Sequence, residues 1–169
     1  STDFPHSDNL EILEFLYVYS HKLNHKFMVG DFSTDDGLIE KIEKYLKQSG
    51  QRMDEHHIMV FYYKIASLYF GNGQNKKCIE YLGKIINNKS LKMREDLMCF
   101  ARILNLVAHY EAGMDYHLET LLKSTYKFLI KMDDLHEVQK EMIKFLRNLG
   151  DIFPGELKNE FKNLRSRLE

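Results

Sequence analysis

The segment from Val60 to Ile86, VFYYKIASLYFGNGQNKKCIEYLGKII, constrains the fold more than any other part of the chain. Tyr62, Ile65, Ala66 and Tyr69 recur at helical spacing. The pattern breaks at Gly71-Asn72-Gly73, and Cys78, Ile79, Leu82 and Ile85 then resume it. Residues three and four apart share one face of a helix. Two glycines and an asparagine are poor company for a helix interior. The segment therefore predicts two amphipathic helices joined by a short turn. Small residues at Ala66 and Cys78 would let the two backbones approach, with Tyr62, Tyr69 and Leu82 filling the space beside them.

This spacing resembles a tetratricopeptide repeat (TPR), which carries large-x2-Leu-small-x2-Tyr on its first helix and small-x3-large-x2-small on its second. Tyr62 stands at the aromatic position, Ile65 at the leucine, Ala66 at the small residue and Tyr69 at the tyrosine. Gly73 matches the turn, Cys78 the small residue of the second helix, and Leu82 and Ile85 the later packing positions. Asn75 replaces the usual aromatic, and Ile85 is bulkier than the usual alanine.

Other helices are expected on both sides. Ser7-Asp8 reads as an N-cap for a first helix ending near Val29, closed by Gly30. Its Leu10, Leu13, Leu16, Tyr17, Ser20 and Phe27 fall near one broad face, widened by Ile12, Phe15 and Tyr19. That is more apolar surface than a terminal helix needs. The helix is expected to dock on the next pair or on a segment upstream. Ser33 or Thr34 is expected to cap a second helix, with Asp35 and Asp36 near its positive end and Leu38, Ile39, Ile42, Tyr45 and Leu46 as its stripe. Asp54 is the expected cap of the third helix.

A fifth helix is expected from about Lys92 to Tyr110, a turn at Gly113, and a sixth helix carrying Leu118, Leu121, Leu122, Thr125 and Leu129. The second pair begins near Met98 against Met59 for the first, which exceeds the roughly 34-residue TPR period. Asp133-Asp134 opens a seventh helix closed by Gly150, and Pro154 an eighth carrying Leu157, Phe161, Leu164 and Leu168. The expected fold is all-α: about eight helices in antiparallel hairpins, stacked as a TPR-like α-solenoid. It is expected to form one helical-repeat domain over 1–169, with its most TPR-like core at 59–130.

The run YYKIASLYFGNGQNKKCIEYLGKIINNKSLKMREDLMCFARILNLVAHYEAG, continued by LLKSTYKFLIK, resembles the C-terminal helical module of TPR proteins of uncharacterised function from Bacteroidetes. That resemblance implies a scaffold or partner-binding role and brings no catalytic residue with it.

Composition bounds the function classes. The 169 residues are 44% hydrophobic and 29% charged, a soluble globular balance. Net charge is -1, which argues against a strongly basic nucleic-acid binder. Residues 1–56 carry eleven acidic and six basic side chains, while the remainder carries a small basic excess. Cys78 and Cys99 fall within apolar helical patterns and read as buried thiols, which suits a reducing, cytoplasmic setting. No apolar run reaches the length of a membrane span.

No HExxH, phosphate-binding glycine loop or nucleophile elbow occurs. His56-His57 lies beside Glu55. His109, Glu111, His117 and Glu119 lie across one turn, where a metal cluster is the less favoured reading. No cofactor, metal or catalytic residue is expected. Lys76, Lys77, Lys84, Lys89, Lys92 and Arg94, interspersed with Tyr81, form a basic stretch suited to an acidic peptide before nucleic acid. The leading expectation is a non-catalytic scaffold binding a peptide, a protein or another segment of its own full-length chain. In TPRs the first helices line the groove, so Tyr63, Lys64 and Ser67 on the third helix and Arg102 and Asn105 on the fifth are the expected contacts. A structural spacer or oligomerisation module and an RNA- or DNA-binding domain are the alternatives.

Overall fold

The computed structural model describes residues 4–89 and 95–129, with the isolated positions 131, 140, 141 and 144. The described residues form six α-helices and no strand: α1 Phe4–Val29, α2 Leu38–Ser49, α3 Glu55–Gly71, α4 Asn75–Ile86, α5 Glu95–Glu111 and α6 Asp115–Leu129. A single 3-10 turn, Gly50–Arg52, links α2 to α3. Apart from those isolated positions, the seventh and eighth helices read from the sequence lie outside the described residues. The chain divides into two compact units, Ser1–Ala101 and Arg102–Glu169, with the boundary inside α5.

Helix α1 begins at Phe4, so Ser7 and Asp8 lie within it and do not cap it. Pro5 supplies the reason, because a first-turn proline has no N–H to leave unpaired and its φ already suits a helix. The far end closes on Gly30 at φ 70°. Asp31 N donates to Lys26 O at 2.9 Å and Gly30 N to Phe27 O at 3.3 Å, which satisfies two orphan carbonyls of the last turn. The same pair of bonds ends α3, from Gln74 N to Tyr69 O and Gly73 N to Phe70 O. It ends α5 too, from Met114 N to His109 O and Gly113 N to Tyr110 O.

The turn of the opening segment is thus narrower than its sequence reads. Gly73, at φ 78°, makes the reversal, whereas Gly71 is still helical. Gly71 serves another purpose: a Cβ there would stand 2.2 Å from Phe32 Cδ1. The Phe32 ring occupies the space that a side chain would need.

α3 and α4 make the most extensive contact between any two helices of the described residues. Ala66, Cys78, Leu82 and Ile85 have no solvent exposure, as the sequence predicts for the two small residues. Met59, Phe61, Ile65, Ala66 and Leu68 are buried in α3, and Cys99, Ala101, Asn105, Leu106 and Ala108, each 40 positions later, are buried in α5. Tyr69 is buried and its counterpart His109 half-buried. The register therefore repeats at Cys99 and not at Met98, an interval still longer than the roughly 34 residues of a TPR.

α2 buries Leu38, Ile39, Ile42, Leu46 and Ser49 along one face. Neither Ser33 nor Thr34 caps it. Asp36 does so locally, its Oδ1 accepting from Leu38 N at 3.1 Å. Ser33 is engaged instead by Asp31, and Thr34 Oγ1 accepts from Gln74 Nε2 at 2.9 Å. Phe15 ties three helices together: its ring stacks on Tyr45 of α2 at 3.7 Å between centroids and tilts against Phe61 of α3 at 5.5 Å. Tyr81 of α4 donates to Glu43 of α2.

Candidate protein-binding surface on α1

The apolar residues of α1 do not form one broad face. Phe15 and Leu23 are buried, while Leu10 is 63% exposed, Leu13 60%, Tyr17 72% and Met28 85%. At 3.6 residues per turn the four exposed side chains fall within about 60° of arc, with Phe15 opposite and Leu23 about 110° from the centre of that arc. Of the face expected to dock on the next pair or on a segment upstream, the side with Phe15 and Leu23 is buried, and Leu10, Leu13 and Tyr17 stay exposed. Only one side of a helix this close to a single layer of neighbours can be covered, and the remaining apolar residues face water.

The base of α1 is held by Lys26, which is only 6% exposed. Its Nζ donates to Asp31 Oδ2 at 2.9 Å, Ser33 Oγ at 2.9 Å and Asp36 Oδ2 at 2.8 Å, which uses all three N–H groups. Burial opposes the charge on Lys26, but its hydrogen bonds to Asp36 and Asp31 outweigh that and raise its pKa above the ordinary lysine value. The Ser33 hydroxyl and then Lys26 hold the Asp31 carboxyl well below the usual carboxylate range. The hydrogen bond from Lys26 also lowers the pKa of Asp36. This cluster pins the 31–37 loop to the helix end.

Beside the exposed stripe runs a shallow cleft between α1 and α2. One part, about 500 Å3, is bordered by Glu11, Glu14, Lys41 and Lys44. The other, about 590 Å3, is bordered by His21, Lys22 and His25, with Asp31 and Asp36 beyond. Val18 and Lys41 belong to both.

Comparison with family models, curated proteins and solved structures gave no match. The functional reading therefore rests on this chain's own surface.

The expected groove residues separate into two groups. Tyr63, Lys64 and Ser67 are half-buried on α3. Ser67 Oγ donates to Tyr63 O at 2.9 Å, the local bond open to any helical serine. Lys64 Nζ donates to Asn24 Oδ1 at 2.9 Å, and burial lowers its pKa. Asn24 lies one turn before Met28, so Lys64 reaches the exposed side of α1. Arg102 and Asn105 sit in the other unit. Arg102 lies over the Phe128 ring at 4.8 Å, and burial lowers its pKa. Its buried Nε has no hydrogen-bond partner among the described residues. Asn105 is buried, and its backbone oxygen lies 2.7 Å from His109 Nδ1.

The basic stretch is also redistributed. Tyr81 is buried and not a surface aromatic. Lys84 lies over the rings of Tyr62 and Tyr81, and Lys77 over Tyr69, so both cations pack on aromatic faces. Lys76 and Lys89 are exposed, and Lys92 and Arg94 lie outside the described residues. The His109 and His117 rings are 6.4 Å apart, but the described residues hold no group of three or more potential metal ligands. Cys78 and Cys99 are buried, and burial pushes the Cys78 thiol up to about 12. No described helix is long and apolar enough to cross a membrane. The surplus of apolar surface on α1 was legible, but the part that stays exposed was not separated from the part that packs. The signal was present: apolar residues on opposite sides of one helix cannot all face one neighbour.

Proposed function

We propose that the chain is a non-catalytic helical scaffold that acts by binding another polypeptide, with the outer face of α1 as its principal contact surface. The observation that carries this reading is the exposure of Leu10, Leu13, Tyr17 and Met28 on one face. Large apolar side chains exposed along one helix face and rimmed by charge mark protein contact sites. The loop cluster around Lys26 and the stacking of Phe15 between α2 and α3 hold α1 in place, so the face is presented preformed. The repeated burial register of α3 and α5 supports a TPR-like helical repeat within the scaffold, with Tyr63, Lys64 and Ser67 on α3 as candidate contacts.

A photo-crosslinking side chain at Tyr17 tests the surface in cells. It should yield a polypeptide adduct that the same group at the exposed Lys47 on α2 does not. Equal labelling at both positions, or none at Tyr17, refutes the assignment.

A further inference from the structure

The identity of the polypeptide can be taken further, resting on the assignment of α1 as the contact surface. We propose that a second copy of this chain covers the face, paired antiparallel along α1 about a two-fold axis. The charges of α1 are divided by sequence. No lysine or arginine occurs from Phe4 to His21, a span that contains Glu11 and Glu14. No carboxylate occurs from Phe15 to Val29, a span that contains Lys22, His21 and His25. Parallel pairing sets like against like. Antiparallel pairing sets the acidic half of each helix against the basic half of the other.

The placement of these groups around the helix agrees with that symmetry. A two-fold axis perpendicular to both helices brings the same flank of each copy together. Glu11 and Glu14 border the α1–α2 cleft, and so do Lys22 and His25. All four therefore lie on one flank of the stripe, where reversal of the second helix sets Glu11 and Glu14 of one copy toward the Lys22 end of the other. Lys41 and Lys44 of α2 border the acidic end from its far side.

The apolar stripe supplies the register. Opposing Leu10 to Met28 of the partner subunit sets Tyr17 beside His21 of the partner subunit. It also brings Glu14 within about one helical turn of Lys22 of the partner subunit. The seam from Leu10 to Met28 is about 27 Å long at a rise of 1.5 Å per residue. Each apolar anchor contributes twice, once from each copy.

Sedimentation of the whole chain over a range of concentrations tests the pairing. A monomer–dimer equilibrium is expected, and Tyr17→Glu should raise the dissociation constant more than a hundredfold, with helix content unchanged by circular dichroism. Glu14→Lys and Lys22→Glu should each weaken the dimer about tenfold, the size of a few close charge interactions. The double variant should recover to within about threefold of the parent. Monomer at every concentration, a dimer indifferent to Tyr17→Glu, or a double variant weaker than either single one would overturn the proposal. A monomer whose Tyr17 adduct contains a different protein, or another segment of the same chain, overturns self-pairing and leaves the contact surface standing. A monomer with no adduct sinks both.

Discussion

Replacing Gly71 by alanine measures how firmly the loop after α1 is seated on the end of α3. The new Cβ would stand 2.2 Å from Phe32 Cδ1, 2.5 Å from Cγ and 2.6 Å from Cε1. The ring must therefore move. Alanine alone favours a helix over glycine by about 1 kcal/mol. Overpacking opposes it by about 1–3 kcal/mol. A displaced Phe32 also strains the hydrogen bond between Thr34 and Gln74, adding roughly 1 kcal/mol. The net expectation is a loss of about 1–3 kcal/mol. In a Phe32→Ala background the clash is gone, and Gly71→Ala should become neutral or stabilising by up to about 1 kcal/mol. Urea unfolding of the four proteins, with unchanged slopes, gives the coupling between the two sites. The expected coupling is about 2 kcal/mol. If Gly71→Ala stabilises both backgrounds equally, the ring does not occupy that space and the argument fails.

Other outcomes follow from the same structure. Lys26→Met strands Asp31, Ser33 and Asp36 and should cost about 2 kcal/mol, moderated because both carboxylates can rehydrate; chemical unfolding and faster proteolysis within 31–37 would report it. Ala66→Leu forces bulk into a site with no exposure and should cost about 1–3 kcal/mol, whereas an unchanged unfolding midpoint would mean that α3 and α4 have room to spare there. The Asp31 and Asp36 carboxyls titrate below their unfolded value, so their contribution is fully present above about pH 4 and lost as pH falls through the folded values. An acid titration should therefore show the wild type losing its stability margin over the Asp31→Asn, Asp36→Asn double variant below about pH 4. A margin that widened with acid would contradict the sign.

The helices were legible because their apolar spacing is local information. Ala66 and Cys78 could be placed in the tight contact of α3 and α4 for the same reason. What could not be read was which of two apolar faces on α1 would be covered, since that depends on where α2 and α3 lie. Phe15 was grouped with Tyr17, yet Phe15 meets Tyr45 and Phe61, while Tyr17 is exposed and stacks on His21 one turn along its own helix. The loop shows the same limit. Ser33 and Thr34 have the chemistry of a cap, but Asp31 and Gln74 engage their hydroxyls, which left Asp36 for α2. Gly71 read as part of a turn because glycine's lack of a side chain serves both chain reversal and close approach, and only the position of Phe32 separates them. At the expected groove, Lys64 was found engaged with Asn24, a partner 40 positions away that no spacing rule links to it.

The matched burial of α3 and α5 conceals a difference in size. Phe61 corresponds to Ala101, Ala66 to Leu106 and Leu68 to Ala108, so bulk and its absence change places along the helix. Two hairpins of equal period could compete for each other's neighbours while the chain is collapsing. Here a misassembled pair would set a leucine where only a methyl fits and leave a hole where a phenyl ring belongs. The inverted sizes thus act as a key against shuffled assembly, and grafting α5 in place of α3 should trap the chain in a swapped or aggregated state.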